Sequence, residues 1–524
     1  MGQGNIMFFY HHSFRVFCLS ILRFAAVLPL ILAACSRSGV KDSGNGRAPD
    51  SLVIAVAQEP ATFDLHYAAS MVEGWIGNNI YDGLLFFDDD GNIEPLLAEA
   101  YDISQDGLTY TFRLRRGVKF HDGGEFTSKD VAFTVEYGRT APNASLLCGM
   151  IQDAALPDDY TAVITLKEPM ASFLTEFAGN EFPIYSEKAV KAAGVYGSSP
   201  VGTGPYRFAG RGAGTGFAFE AFPDYFRGAP PVKHLSFRVI PDDFTAAAAL
   251  ETGEVDLVMS LSVPAAVSLR DKRGVVVSSD PSTRVNYAAM NTEKPPFNDA
   301  RLRRAVNYAL DREAIRDIVY EGGGHIKDYM ALPWMAAFEE PEIRYDFNPV
   351  KAASLAAEAG VSPENPVEAV LIAASSSRQA AEIVRQNLAA IGVNITLDIL
   401  EFNAWLDKYY SGDYQIACGG HYINIKDMNY LGLFYESVNI NQGNSARYSN
   451  PLVDAIFAEG RRSLDGEKRK ALYKRAADIV QEDAPYAVFA NPPVIRAYRR
   501  NLRIAHTYSH SIYARDISWD IPSR

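Results

Sequence analysis

The chain has 524 residues, 48% hydrophobic and 22% charged, the make-up of an ordinary globular protein. At about 150 residues per domain this length exceeds one core and suggests roughly three. A net charge of −13 with no basic block argues against nucleic acid as a partner and for a soluble body.

The first segment reads as an export signal. Arg15 and Arg23 supply positive charge, and Phe24–Ala34 is apolar. That run is too short for a membrane span, which needs about 20 residues. An uncleaved anchor helix reaching back to Val16 is the alternative, but Arg23 interrupts it. Leu32-Ala33-Ala34-Cys35 resembles a bacterial lipobox. Residues 1–34 are therefore expected to be removed, with lipid on Cys35. Residues 35–50 are polar and rich in Gly and Ser, as in a flexible tether. Outside the export segment only Cys148 and Cys418 remain; they are expected as buried thiols rather than a disulfide framework.

Ser51–Ala57 is a short apolar strand closed by Gln58-Glu59-Pro60, and Val72–Leu85 has helical spacing. In Thr109–Arg115 apolar and polar residues alternate. Tyr110, Phe112 and Leu114 share one face, which predicts a half-buried strand. Gln105-Asp106-Gly107 and Arg116-Gly117 are turn chemistry. Thr127 or Ser128 is placed to cap a helix that runs to Thr140, with Asp130 in its first turn. His121-Asp122 looks like an acid–base pair, yet its turn position predicts a structural role. Tyr160–Leu166 alternates as a strand, and a helix follows through Phe177.

Gly202, Gly204 and Pro205 force a tight turn before a strand. Gly210–Gly216 is glycine-rich, but the next residues alternate like a strand; a phosphate loop needs a helix there, so a hairpin loop is predicted. His234–Ile240 is a strand and Phe244–Leu250 a helix. Val285–Met290 is a strand, Pro295-Pro296-Phe297 a rigid turn, and Asn298 or Asp299 caps a helix burying Leu302, Ala305, Val306 and Ala309. Lys351–Ala359 and Ser377–Ile391 read as helices, and Val367–Ala373 and Val393–Leu400 as strands. Helix Leu472–Glu482 and strand Ala484–Phe489 follow.

Three stretches carry more than local structure: LTYTFRLRRGVKFHDG at Leu108–Gly123, SPVGTGPYRF at Ser199–Phe208, and TRVNYAAMNTEKPPFNDARLRRAVNYALDREAI at Thr283–Ile315. In that order they resemble the family 5 solute-binding proteins of ABC importers, the dipeptide, oligopeptide and nickel binders. The resemblance runs from about Leu52 to the end. It implies an α/β, two-lobed periplasmic-binding-protein fold, class II-like, with an extra inserted subdomain and a hinge between lobes. The implied division is lobe I at 51–87, an inserted subdomain at 88–198, lobe I again at 199–288, lobe II at 289–484, and a return to lobe I at 485–524. It also implies a monomer at the periplasmic or cell surface, held to the membrane by its lipid. That monomer would capture a small-molecule or peptide ligand and pass it to an ABC permease with separate ATPase subunits. No catalysis, cofactor, resident metal or nucleic acid is implied.

In this family the loop at Gln58 and Glu59 contacts ligand through its backbone; a solvated loop carboxylate is the plain alternative. The informative region is Phe402–Tyr435. Relatives usually carry Gly-Trp here, then an aspartate three residues after the Trp that pairs with a peptide's free amine. In this chain Gly420 keeps the glycine, His421 stands at the Trp position and Asn424 at the Asp position. That departure gives weight to oligosaccharides, opine-like conjugates or blocked peptides as alternative cargo; a nickel chelate touching His421 is a further alternative, though one His without visible co-ligands is a weak signal for it. Phe402, Tyr409, Cys418 and Tyr422 join these as candidate ligand-binding residues. No zinc-protease helix, nucleophile elbow or phosphate loop is found, which disfavours a secreted enzyme on the same scaffold. A signalling receptor with the same cleft is a further reading.

Overall fold

The computed structural model describes residues 50–68, 70–88, 92–178, 182–193, 199–211, 216–423, 425–504 and 513–520. The export signal, Cys35, most of the tether and Asn424 lie outside the described residues. Among these residues the chain builds three larger sheets. Alternation explains the four-stranded antiparallel one, Ala98–Ile103, Thr109–Leu114, Thr161–Leu166 and Ile151–Asp158 in spatial order. Tyr110 faces Ile164 and Phe112 faces Ala162 across the ladder, and all four are buried. Helix Ser128–Gly138 follows, with the Thr127 N–H donating to the Asp130 carboxylate at 2.9 Å.

A seven-stranded sheet runs Val275–Pro281, Pro493–Arg499, Leu257–Val258, Ser51–Val56, His234–Val239, Gly216–Ala221, Tyr206–Arg211. A six-stranded sheet runs His325–Ile326, Tyr486–Asn491, Arg284–Met290, Ile416–Tyr422, Val367–Ala374, Val393–Leu400. The chain crosses between them twice, at Ser282–Thr283 and at Pro492. Strands Arg284–Met290 and Tyr486–Asn491 thus both lie in the six-stranded sheet. The expected boundaries at 288/289 and 484/485 fall inside the first of these strands and just before the second.

The first helix is shorter than its spacing predicts: it spans Met71–Gly77 instead of reaching Leu85. The reason is tertiary. The Asn79 and Ile80 carbonyls accept from Tyr206 N and Gly204 N, both at 2.9 Å, so this backbone serves a distant segment. A Cβ on Gly202 would lie 2.0 Å from the Ile80 carbonyl oxygen, so the motif needs glycine for close backbone approach. His121 docks on the same turn. Its backbone N–H donates to Gly202 O, and its Nε2 lies 2.9 Å from Gly204 O. Burial pushes its pKa down to about 4, so the ring is a neutral clamp joining two motifs.

Candidate functional site

Both crossings leave the sheets at one end. In the seven-stranded sheet, Ser51–Val56 runs parallel to both His234–Val239 and Leu257–Val258, and its carboxyl end points to the crossings. Gln58 and Glu59 follow there, both exposed. Carboxyl ends of parallel strands at a topological switch are where open α/β sheets bind ligands. In the six-stranded sheet the crossing end holds Arg284 at the start of one strand, opposite Tyr422 at the end of the next. Buried Asn491 ties the two crossing segments together. Its Nδ2 donates to Ser282 O at 2.7 Å and to Arg284 O at 2.6 Å.

Strand period two sorts the side chains here onto two faces. One face carries Arg284, Asn286, Gly420 and Tyr422. The Arg284 Nε donates to Asn286 Oδ1 at 2.8 Å, and Asn286 Nδ2 donates to the Tyr320 hydroxyl at 2.6 Å. The guanidinium lies 5.1 Å from the centre of the Tyr422 ring. The other face carries Val285, Tyr287, Gly419 and His421. There the Tyr287 and Tyr409 hydroxyls are 2.6 Å apart, and Gly419 lets Trp405 approach the strand. The His421 Nε2 meets the Tyr430 hydroxyl at 2.9 Å, and its ring packs edge-on to Phe434. Burial first, then the nearby Arg284 charge, pulls the His421 pKa down to about 4, so the imidazole is neutral.

The residues singled out from sequence therefore do not converge on one surface. Gly420 and Tyr422 meet the Arg284 array, whereas His421 and Tyr409 belong to the opposite face. Cys418 is fully buried in the core below, and burial pushes its thiol up to about 12. Cys148 is also a buried free thiol. Phe402 is 55% exposed at the start of helix Phe402–Ser411. Glu59 pairs with Arg211 at 3.6 Å, but both are largely exposed, so the pair contributes little. Sequence reasoning missed Arg284, Asn286, Tyr320 and Tyr430. The signal was present in RVNYAAM: two polar side chains alternate into an otherwise apolar strand.

Gly420 is the position where this array is most sensitive. A Cβ there would lie 1.9 Å from Asn286 Oδ1 and 2.9 Å from Arg284 Nη2. Gly420→Ala is expected to push both side chains aside and to cost about 1–3 kcal/mol in urea denaturation. A cost below about 0.5 kcal/mol would mean that they swing away freely.

A second polar cluster joins the four-stranded region to the helices beyond the six-stranded sheet. Ala171 N donates to Arg461 O at 3.0 Å, Arg462 pairs with Glu168 at 2.7 Å, and Asn429 Nδ2 lies 3.4 Å from Ser172 Oγ. Lys426 sits 3.7 Å over the Phe87 ring. Burial, helped by the Asp427 charge, pushes Glu176 up to about 7. Among the described residues no group of three or more His, Cys, Asp or Glu side chains is placed to hold a metal. No described helix is long and apolar enough to cross a membrane.

The model of the bacterial extracellular solute-binding proteins, family 5, matches residues 92–442. Heme-binding protein A of Haemophilus influenzae is 30% identical over 510 residues, covering 89% of this chain and 92% of its own. The glutathione-binding protein GsiB of Pectobacterium atrosepticum is 28% identical, covering 87% and 91%. Among solved structures, the periplasmic binding protein DppA of Helicobacter pylori, in complex with the peptide STSA, superposes with a TM-score of 0.78. It is 26% identical and covers 90% of this chain and 98% of its own.

Proposed function

The chain belongs to the family 5 extracellular solute-binding proteins of ABC importers, and from that premise we propose that it captures a peptide or peptide-like solute between its two lobes and hands it to a membrane permease. The observation that carries the peptide-like reading is the end of strand Ile416–Tyr422. Its pairing with Val367–Ala374 stops at Cys418, so Gly419–Tyr422 runs on with one edge past that ladder. An extended peptide backbone can add to such an edge as a further strand. The three relatives bind heme, glutathione or a peptide, so the scaffold itself does not fix the cargo. A nickel chelate is less favoured, because the His421 imidazole is already engaged by Tyr430.

The ligand favours closure because it touches both lobes only when they meet. Lipid on Cys35 would keep the protein at the membrane beside its permease, which draws energy from a separate ATPase. We assign it no reaction of its own.

The test is a thermal-shift screen of protein stripped of cargo by unfolding and refolding. The panel holds peptides, glutathione, heme, opines, oligosaccharides and nickel chelates. A true ligand at about 100 times its dissociation constant should add about 2.7 kcal/mol of stability. A shift confined to sugars would replace the peptide-like reading. No shift with any class, and no small molecule released on unfolding, would remove the cargo-binding reading altogether.

A further inference from the structure

We propose that Arg284 is a specificity residue that holds a carboxylate of the ligand, an assignment that rests on the proposed binding role. Buried and half-buried arginines elsewhere in the chain are engaged by acids or carbonyls. Arg461 pairs with Glu436 at 2.8 Å, Arg469 with Asp427 at 2.6 Å, and Arg496 with Asp280 at 3.1 Å. Arg312 is saturated by carbonyl oxygens. Arg284 differs. Its Nε is used by Asn286, but neither Nη has a hydrogen-bond or ion-pair partner among the described residues. The groups on its face of the sheet are neutral: an amide, two tyrosines and a glycine. In a chain of net charge −13, a half-buried cation left without an acid is an unused binding capacity.

Geometry turns that capacity into a site. A guanidinium offers a planar fork of N–H donors that matches a carboxylate with two parallel hydrogen bonds. Here the fork is held in advance. The Nε bond to Asn286 fixes one edge, Tyr320 fixes Asn286, and the Tyr422 ring lies against the guanidinium. Side chains held before binding lose less freedom when the ligand arrives. Gly420 lets Asn286 and the fork lie close against the neighbouring strand, since a Cβ there would crowd both Asn286 Oδ1 and Arg284 Nη2. The array also stands beside the first crossing, at the end of the six-stranded sheet where the chain arrives from the seven-stranded one. An acidic ligand would therefore be anchored on the six-stranded lobe before closure.

The experiment uses the full chain, stripped of cargo, with matched probes measured by titration calorimetry. The probes are tri-alanine, Met-Leu and glutathione, each against its C-terminal carboxamide, and heme against its dimethyl ester. The best carboxylate probe should bind about 10- to 100-fold more tightly than its blocked twin. Arg284→Gln should lose about that factor for the acid and leave the blocked twin within about threefold. Arg284→Lys keeps the charge without the fork and should fall between them. A melting curve of each variant separates loss of binding from loss of fold. Wild-type protein that binds acid and blocked twin equally, or Arg284→Gln that binds the acid unchanged, overturns the assignment while leaving cargo binding intact. Absence of binding by every probe to wild-type protein, with no released cargo, overturns both.

Discussion

Arg312→Ala is expected to cost about 3–5 kcal/mol, more than Gly420→Ala. Arg312 opens helix Arg312–Val319, which Asp311 caps by accepting from Ala314 N at 2.9 Å. A cation in the first turn opposes the helix dipole, so local structure does not explain it. Its side chain is 3% exposed and reaches away from the helix. Nε donates to Val488 O at 2.7 Å and Lys327 O at 3.2 Å. Nη1 donates to Asn307 O at 2.9 Å and Tyr345 O at 3.1 Å, and Nη2 to Asn307 Oδ1 at 3.1 Å. Burial pulls its pKa down to about 10, and it stays charged at neutral pH. Alanine would take the donor from four buried acceptors and a half-buried one, and each that finds no other partner costs about 1–3 kcal/mol before relaxation. Arg312→Lys keeps the charge but not the fork and should lose somewhat less. Denaturant unfolding of cargo-free protein measures both; a loss under about 1 kcal/mol for alanine would show that water replaces the fork.

That residue also marks what sequence reading can reach. Strands that alternate, such as Thr109–Leu114 and Val393–Leu400, declared their length and buried face because period two is a local property. Caps were equally local: Asp299 accepts from Arg301 N as its chemistry suggests. Helix Gly466–Asp483 begins six residues before its apolar stripe, because its first turns are charged and its start rests on the Asp465 cap. The early end of helix Met71–Gly77 was not legible, since it depends on Gly202 and Gly204 over a hundred residues away. At the candidate site the obstacle was different. Phe402–Tyr435 divides into an amphipathic helix, a strand with two faces and a loop, so the candidate residues within it reach different surfaces. The Arg284 array was hidden because Tyr422 and Tyr320 reach Arg284 and Asn286 only in the fold, from a paired strand and from the end of helix Arg312–Val319.

Glu176→Gln is expected to stabilise the protein at pH 7 and to do nothing near pH 4.5. Glu176 sits where the four-stranded region meets the Asp427–Tyr435 segment and Arg461. Ser172 Oγ donates to it at 2.8 Å. Burial and the Asp427 charge raise its pKa from 4.5 to about 7 against the lowering effects of Ser172, Asn429 and Arg461. The folded form thus holds a proton that the unfolded form has released. Stability from this contact is complete below about pH 4.5 and is lost as pH rises through about 7. The shift sets a ceiling of about 3 kcal/mol, and glutamine, which mimics the protonated acid, should recover on the order of 1–3 kcal/mol at pH 7. Lys426, in the same contact, works in a separate window. Burial lowers its pKa from 10.5 to about 7, so its contribution is absent below about 7 and returns as pH rises toward 10.5. The two windows adjoin without overlap, so unfolding curves at pH 4.5, 6, 7 and 9 for wild type and the glutamine variant separate them. A wild-type-to-variant difference that stays constant with pH would show that Glu176 does not titrate with this contact.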